Sequence, residues 1–167
     1  AQLLIILSAK NLPMLHSIHS EQLLKTDRRK VWDFISSPHN LAKITPPHMG
    51  FEVLGQAPEA TYAGQIIEYK VSPLLGIKLH WVTEITHVKE GFYFVDEQRF
   101  GPYTFWHHQH LLEDVPGGTL MKDIVHYKAP LGALGKLANR MFIKRQLSQI
   151  FSYRHQAVEK LFNSAGV

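Results

Sequence analysis

The chain has 167 residues, 45% of them hydrophobic and 19% charged, a composition typical of one folded domain with a sizeable core. It contains no cysteine, which excludes disulfides, thiolate catalysis and cysteine-based zinc sites and fits a cytoplasmic protein. The net charge of +4 comes with no dense basic tract or nucleic-acid-binding motif, and no apolar run approaches the roughly 18 residues of a membrane span. We therefore expect neither a nucleic-acid partner nor a transmembrane segment.

The first thirteen residues stand apart from the pattern that follows. Their apolar stretch, Leu3–Leu7, is short, has no basic residues before it and no small-residue cleavage site after it, so it is not typical of a secretory signal. A strand pattern begins close to Met14. We therefore expect residues 1–13 to be an extra N-terminal segment outside the fold, and residues 14–167 to form a single domain.

The first elements of this domain are predicted to be one strand and two short helices. Leu15–Leu24 is predicted as the strand. Thr26 or Asp27 is placed to cap a helix, and Ser36-Ser37-Pro38 ends it. The stretch 40–44 is long enough for a second short helix before Pro46-Pro47. The first helix has an apolar face made by Val31, Trp32, Phe34 and Ile35.

Six further strands are predicted after these helices. Glycine and proline turns separate short segments in which apolar and polar residues alternate, the period of a half-buried strand. Strands that follow one another through short turns favour an antiparallel sheet. The predicted strands are Phe51–Gly55, Tyr62–Ser72, Ile77–Val88, Phe92–Phe100, Tyr103–Asp114 and Thr119–Lys128.

A long C-terminal helix is predicted over Leu131–Phe162, where apolar residues recur at spacings of three and four. At 1.5 Å per residue such a helix is roughly 45 Å long, and its apolar stripe needs a partner to be buried. The sheet is the simplest partner. The expected fold is therefore α+β, with a curved antiparallel sheet of about seven strands around the C-terminal helix, a cavity between them, and the two short helices after the first strand.

We predict that the cavity is lined by side chains that alternation places on the inner faces of the strands and by residues of the long helix. A register error of one residue would invert the assignment on a whole strand. Polar members of this set would orient a ligand, and apolar members would bury it. The candidates are Trp81, Phe94, Asp96, Gln98, Trp106, His108, His110, Met141 and Phe142.

Eleven histidines raise the question of a metal site. His108 and His110 share one face of a strand, and a third ligand would have to come from Asp96, Asp123 or His126. No compact metal-binding motif is present. We favour histidines that form hydrogen bonds in a partly polar cavity or lie on the outer face of the sheet, and we expect no metal and no cofactor.

The basic residues of the long helix include Lys144, Arg145 and Arg154. We interpret these three as a solvated outer face. The alternative is a cavity mouth that accepts an anionic group.

The order of elements resembles the helix-grip fold of the START-like, pollen-allergen-like superfamily (SRPBCC) from about His16 to Phe162. It is most similar to a bacterial ligand-binding subgroup near the polyketide cyclase/dehydratase and coenzyme Q-binding families. The resemblance implies the fold and a cavity, and it transfers no catalytic residues. The residues that carry it are Val31–Phe34, Ser37–Leu41, Ile44–Pro47, Phe94–Asp96, Gln98, Gly101–Tyr103, Trp106–His108, His110, Asp123–Tyr127, Pro130–Gly132, Arg145–Leu147, Ile150, Phe151 and Arg154.

The expected function is binding of a hydrophobic small molecule, such as a lipid, a quinone or a polyketide-like compound, between the sheet and the C-terminal helix. A non-catalytic binding protein is favoured. One alternative is a cyclase, dehydratase or isomerase that uses a histidine or aspartate as general acid or base. The other is a protein-interaction module with a filled core and an exposed apolar patch. The sequence does not determine the oligomeric state.

Overall fold

The computed structural model describes residues 15–56, 58–74, 77–130 and 142–164. The proposed extra segment 1–13 and the first part of the predicted long helix, residues 131–141, lie outside the described residues. Among the described helices, none is long and apolar enough to cross a membrane.

Seven strands form one antiparallel sheet, which confirms the predicted α+β class. The order β1-β7-β6-β5-β4-β3-β2 follows from successive hairpins between β2 and β7, with β1 added beside β7. Each of the six hairpin-linked strands therefore lies beside its neighbour in the chain. The strands are β1 (His16–Leu24), β2 (Glu52–Leu54), β3 (Ile66–Leu74), β4 (Ile77–Lys89), β5 (Tyr93–Phe100), β6 (Phe105–Val115) and β7 (Gly118–Lys128).

The strand β3 begins four residues later than the predicted Tyr62, because residues 62–65 form a turn. Gly64 adopts a positive φ of 88°, which glycine accepts without steric cost. The side-chain oxygen of Gln65 accepts a hydrogen bond from the backbone N–H of Tyr62 at 3.2 Å. Ile67, Tyr69 and Val71 alternate along β3 and are all buried.

Two short helices follow β1, as predicted. Helix α1 (Arg28–Ile35) is capped by Asp27, whose carboxylate accepts a hydrogen bond from the N–H of Lys30 at 3.0 Å. Helix α2 (Pro38–Leu41) begins at Pro38, because proline suits the first turn of a helix, where its missing N–H is not needed. Two single 3₁₀ turns, Ala42–Ile44 and Pro47–Met49, lead on to β2.

The C-terminal helix α3 (Lys144–Phe162) packs across the concave face of the sheet. Leu147, Phe151 and Val158 lie on one face of α3 at helical spacing and are buried. The end of α3 is held to β1 by Asn163, which accepts a hydrogen bond from the N–H of Lys25 at 2.7 Å and donates one to the carbonyl of Leu23 at 2.8 Å. The sheet and helix thus enclose the space in which the site lies.

Candidate functional site

A cavity of about 160 Å³ lies between the concave face of the sheet and α3, and the α1–α2 region closes part of it. Most of its wall is apolar or aromatic, and charged side chains come from β5, β6, β7 and α3. The lining residues are Phe34, Ile35, Ser36, Ser37, Pro38, Asn40, Leu41, Ile44, Thr45, Met49, Phe51, Thr61, Ile67, Tyr69, Val71, Trp81, Thr83, Ile85, Phe94, Asp96, Tyr103, Trp106, His108, His110, Met121, Asp123, Leu147, Ile150, Phe151 and Arg154.

Two histidines and two aspartates form a buried cluster in the cavity wall. On β6, His108 and His110 lie two residues apart and point to the same side, with Asp96 of β5 and Asp123 of β7 on either side of them. Nε2 of His110 lies 2.7 Å from Oδ2 of Asp96, and Nε2 of His108 lies 2.8 Å from Oδ1 of Asp123. Nδ1 of His110 lies 3.1 Å from Oδ1 of Asp123, and Nδ1 of His108 lies 3.4 Å from Oδ2 of Asp96. Each carboxylate therefore contacts both rings.

The two histidines titrate in opposite directions. Burial and the positive charge of the adjacent His110 together lower the pKa of His108 to about 4, against the opposite effect of Asp96 and Asp123. Burial also opposes the charged form of His110, but its contacts with Asp123 and Asp96 outweigh burial and raise its pKa. Of the two rings, His110 is therefore the one that holds a second proton more readily.

Both aspartates stay ionised, although Asp123 is buried and the side chain of Asp96 is only 17% exposed. Burial favours the protonated form of each, but the neighbouring histidines outweigh it, so the pKa of Asp96 is lowered and that of Asp123 is held well below its usual range. Burial raises the pKa of Tyr69, and the negative charge of Asp96 adds to that effect. The phenol of Tyr69 is therefore neutral at neutral pH.

Arg154 brings a second positive charge to this cluster from α3. Its Nη1 lies 3.7 Å from Oδ1 of Asp123, and its side chain is 12% exposed. The interpretation of Arg154 as part of a solvated outer face is therefore wrong. The physical reason is helical spacing, because Arg154 follows Leu147 and Phe151 by seven and three residues and precedes Val158 by four, on the buried face of α3.

Six of the nine sequence-predicted candidates line the cavity: Trp81, Phe94, Asp96, Trp106, His108 and His110. Trp81 and Trp106 meet edge to face with ring centroids 5.2 Å apart. Phe94 stacks on His110 with ring centroids 4.1 Å apart. Alternation along β4, β5 and β6 brings these side chains to the same side of the sheet.

The other three candidates do not appear in the described lining. Gln98 instead closes the turn after β5, where its Nε2 donates to the carbonyl of Tyr103 at 2.6 Å and its Oε1 accepts from the N–H of Tyr103 at 3.2 Å. Phe142 is 59% exposed, because it precedes α3 and points away from the sheet-facing side. Met141 lies outside the described residues.

Sequence reasoning missed several parts of the wall. Phe34, Leu41 and Ile44 of the α1–α2 region line the cavity, although none of the predicted lining residues comes from this region. Asp123 was considered only as a metal ligand. Its alternation with the buried Met121 and Val125 on β7 was the signal that places it on the inner face.

The donor atoms of Asp96, His108 and His110 lie within 4.8 Å of one another, so these three residues are spaced closely enough to hold a metal ion. Their ring nitrogens and carboxylate oxygens already face one another, and His110 lies between two carboxylates at 2.7 Å and 3.1 Å. A metal would have to displace these contacts. The geometry therefore fits a self-paired polar cluster better than a vacant coordination site.

The antiparallel sheet, the two short helices and the long C-terminal helix together make this a helix-grip fold, as predicted. Solved structures share it at low sequence identity. Protein CV1439 from Chromobacterium violaceum matches with a TM-score of 0.68 and 13% identity, over 90% of this chain and 99% of that chain. Ginseng major latex-like protein 151 from Panax ginseng matches with a TM-score of 0.65 and 11% identity, over 90% of this chain and 99% of that one. Ara h 8.0201 matches with a TM-score of 0.58 and 15% identity, over 86% of this chain and 97% of that chain.

No protein-family model matches the sequence, and no curated protein matches it. At these identities the likeness to solved structures establishes the fold alone. Function has to be argued from the cavity and the cluster in its wall.

Proposed function

We propose that this protein binds a hydrophobic small molecule in the cavity between the concave sheet and α3. The observation that carries the proposal is the cavity itself, of about 160 Å³ and walled mainly by apolar side chains. Protein cores are packed with few voids larger than a water molecule, so a void of this size is costly when empty. An engineered apolar cavity of roughly 150 Å³ binds benzene, which sets the scale of what fits here.

The chemistry of the wall narrows the class of ligand. Aromatic side chains such as Trp81, Trp106 and Phe94 offer apolar contact, and the charged cluster offers polar contact at one place. A compact ring system or a short acyl chain with one polar group suits this wall. We propose a quinone, a polyketide-like ring or part of a lipid as the ligand. We also propose that residues 14–167 form one ligand-binding domain of a cytoplasmic protein, in the bacterial subgroup that the sequence resembles.

Native mass spectrometry of the purified protein, followed by denaturing extraction, tests the proposal. We expect a reproducible hydrophobic molecule in the extract, or a rise in Tm with members of a hydrophobic ligand panel. Ile150→Trp fills the cavity from α3 and is expected to abolish both signals, whereas Gln149→Trp on the exposed side of α3 is the matched control. A clean mass together with no Tm shift across the panel would remove the support for a binding function.

A second candidate function is acid–base catalysis on such a molecule. The observation that favours it is the pair His108 and His110, whose pKa values are shifted apart in one cavity, since catalytic acids and bases are often found as such pairs. The extracted molecule, incubated with the protein and with His110→Ala, tests this candidate. Turnover by the wild type that is lost in the variant, with binding retained, would support an enzyme. Equal turnover in the wild type and in His110→Ala, including none in either, would favour a carrier.

The interaction-module alternative required a filled core. The cavity between the strands and α3 counts against it. Large apolar side chains such as Phe100, at 64% exposed, are present on the surface, but single exposed apolar residues are normal in folded proteins.

A further inference from the structure

The guanidinium of Arg154 has hydrogen-bond donors that no described residue accepts. Its Nε is buried and has no hydrogen-bond partner among the described residues. The carboxylate oxygen of Asp123 is 3.7 Å from Nη1, beyond hydrogen-bond distance. A guanidinium carries five N–H donors and stays charged. Nη1 and Nη2 of Arg154 are not among the fully buried atoms and have no hydrogen-bond partner in the part of the chain that the structure describes, so an acceptor atom in the cavity can reach them.

Arg154 lies where an occupant of the cavity can contact its side chain. Arg154 lies among the lining residues, and its guanidinium carbon is 5.1 Å from the centroid of the Phe151 ring. Trp81, Trp106 and Phe94 supply the apolar wall of the same cavity. A molecule in this space would therefore contact mainly apolar side chains, and an acceptor atom on it could receive hydrogen bonds from Arg154.

The charges already present decide which acceptor fits. The ring nitrogens of His110 lie 2.7 Å and 3.1 Å from carboxylate oxygens, closer than the 2.8 Å and 3.4 Å of His108, so His110 is the ring that the two carboxylates hold in the charged form. His108 lies with its ring centroid 3.7 Å from that of His110, where a second positive ring would be repelled. Asp96 and Asp123 are thus balanced by His110 and Arg154, and the cluster has no net charge.

A carboxylate added to this balanced cluster would be a buried charge without a partner, whereas a carbonyl oxygen would add no charge. We propose that the ligand presents a neutral carbonyl oxygen, as in a ketone, to the N–H donors of Arg154, and that the cavity selects against a carboxylate of the same size. This inference rests on the proposed binding function and names the polar group that the ligand carries.

Three single-ring probes of similar size test this inference: acetophenone, ethylbenzene and benzoate. Each suits a cavity of about 160 Å³. Calorimetric titrations at constant pH and salt should give wild-type binding of acetophenone about tenfold tighter than ethylbenzene, the expected effect of one hydrogen bond to a charged donor. Benzoate should bind more weakly than acetophenone.

Arg154→Met keeps the apolar stem but removes the donors, and it should bind acetophenone and ethylbenzene about equally. Arg145→Met, at an exposed position on the same helix, is the matched control and should keep the preference for the ketone. Benzoate binding as tightly as acetophenone in the wild type would overturn the inference, whether or not Arg154→Met folds. So would a ketone preference that survives in Arg154→Met.

The same titrations separate this inference from the proposed function. Equal wild-type binding of ethylbenzene and acetophenone would overturn the role of Arg154 and leave hydrophobic binding in place. Failure of all three probes to bind would overturn both, because the cavity would then not accept a ring of the size it encloses.

Discussion

His108 and His110 lie with their ring centroids 3.7 Å apart on β6, and the buried site shifts their pKa values in opposite directions. The same two carboxylates, Asp96 and Asp123, face both rings. The difference arises because one positive ring satisfies the pair of carboxylates, and burial then disfavours a second. Protonation of this site is therefore coupled to the stability of the fold.

The first prediction concerns stability below pH 6.5. The folded-state pKa of His108, about 4, lies below its unfolded value. The contribution of His108 to stability is therefore fully present above pH 6.5 and is lost as pH falls toward 4. The contributions of Asp96 and Asp123 are lost only at still lower pH, because their pKa values are lowered. Tm measured from pH 7 to 4 should fall in the wild type and fall less in His108→Asn. His87→Asn, an exposed change on β4, should follow the wild type; equal slopes in all three proteins would contradict the prediction.

The second prediction concerns the opposite pH range. The pKa of His110 is raised in the folded protein, so its contribution is present below pH 6.5 and is lost as pH rises through the folded value. Once His110 loses its proton, the positive charge of Arg154 on α3 does not balance the two negative charges of Asp96 and Asp123, because His108 is neutral. The free energy of unfolding, measured with urea from about pH 6 upward, should decline in the wild type as pH rises above 6.5. The decline in the free energy of unfolding should be weaker in His110→Gln than in the wild type. A steeper decline in His110→Gln would show that other groups determine the pH dependence of stability.

The third prediction uses tryptophan fluorescence. Trp81 and Trp106 line the cavity, whereas Trp32 is buried behind it with its ring centroid 6.0 Å from that of Phe94. Titration with ethylbenzene should change the wild-type emission, because the ligand contacts the two lining indoles. The change should be reduced in Trp81→Phe and Trp106→Phe and retained in Trp32→Phe. A signal that disappears only with Trp32 would place the ligand elsewhere.

The fourth prediction compares the two glycines of the β6–β7 turn. A Cβ at Gly118 would lie 2.0 Å from the carbonyl oxygen of Leu24, whereas one at Gly117 would meet no atom within 4 Å. Both have positive φ, 94° at Gly117 and 145° at Gly118, so both changes are strained. Urea unfolding should show a loss of about 1–2 kcal/mol for Gly117→Ala and at least about 3 kcal/mol for Gly118→Ala. Similar losses would mean that β1 moves aside freely.

The fifth prediction concerns metal addition. The nitrogens and oxygens of Asp96, His108 and His110 are paired with one another and with Asp123, so a metal gains ligands only by breaking these contacts. Zn²⁺ at micromolar concentration should leave Tm unchanged in the wild type and in His108→Asn alike. A stoichiometric rise in Tm that is lost in His108→Asn would instead establish a metal site.

Much of the fold followed from sequence periodicity. Alternation along β6 put Trp106, His108 and His110 on one side, and the structure has them on the inner face, because a strand can turn only every second side chain toward the core. Turn residues between the strands predicted the meander. Helical spacing predicted α3 over the part that the structure describes, and the same spacing, applied strictly, would also have placed Arg154 on its buried face.

The sequence by itself determined the order of elements and which side of most strands faces inward, because these depend on neighbours along the chain. Only the tertiary structure decided that Asp96, Asp123 and Arg154 meet around two histidines, since they come from three elements that register and helix docking bring together. It also decided which histidine is charged. That depends on distances of about 3 Å between side chains far apart in sequence and on removal of water from around them, and neither is encoded in a local pattern.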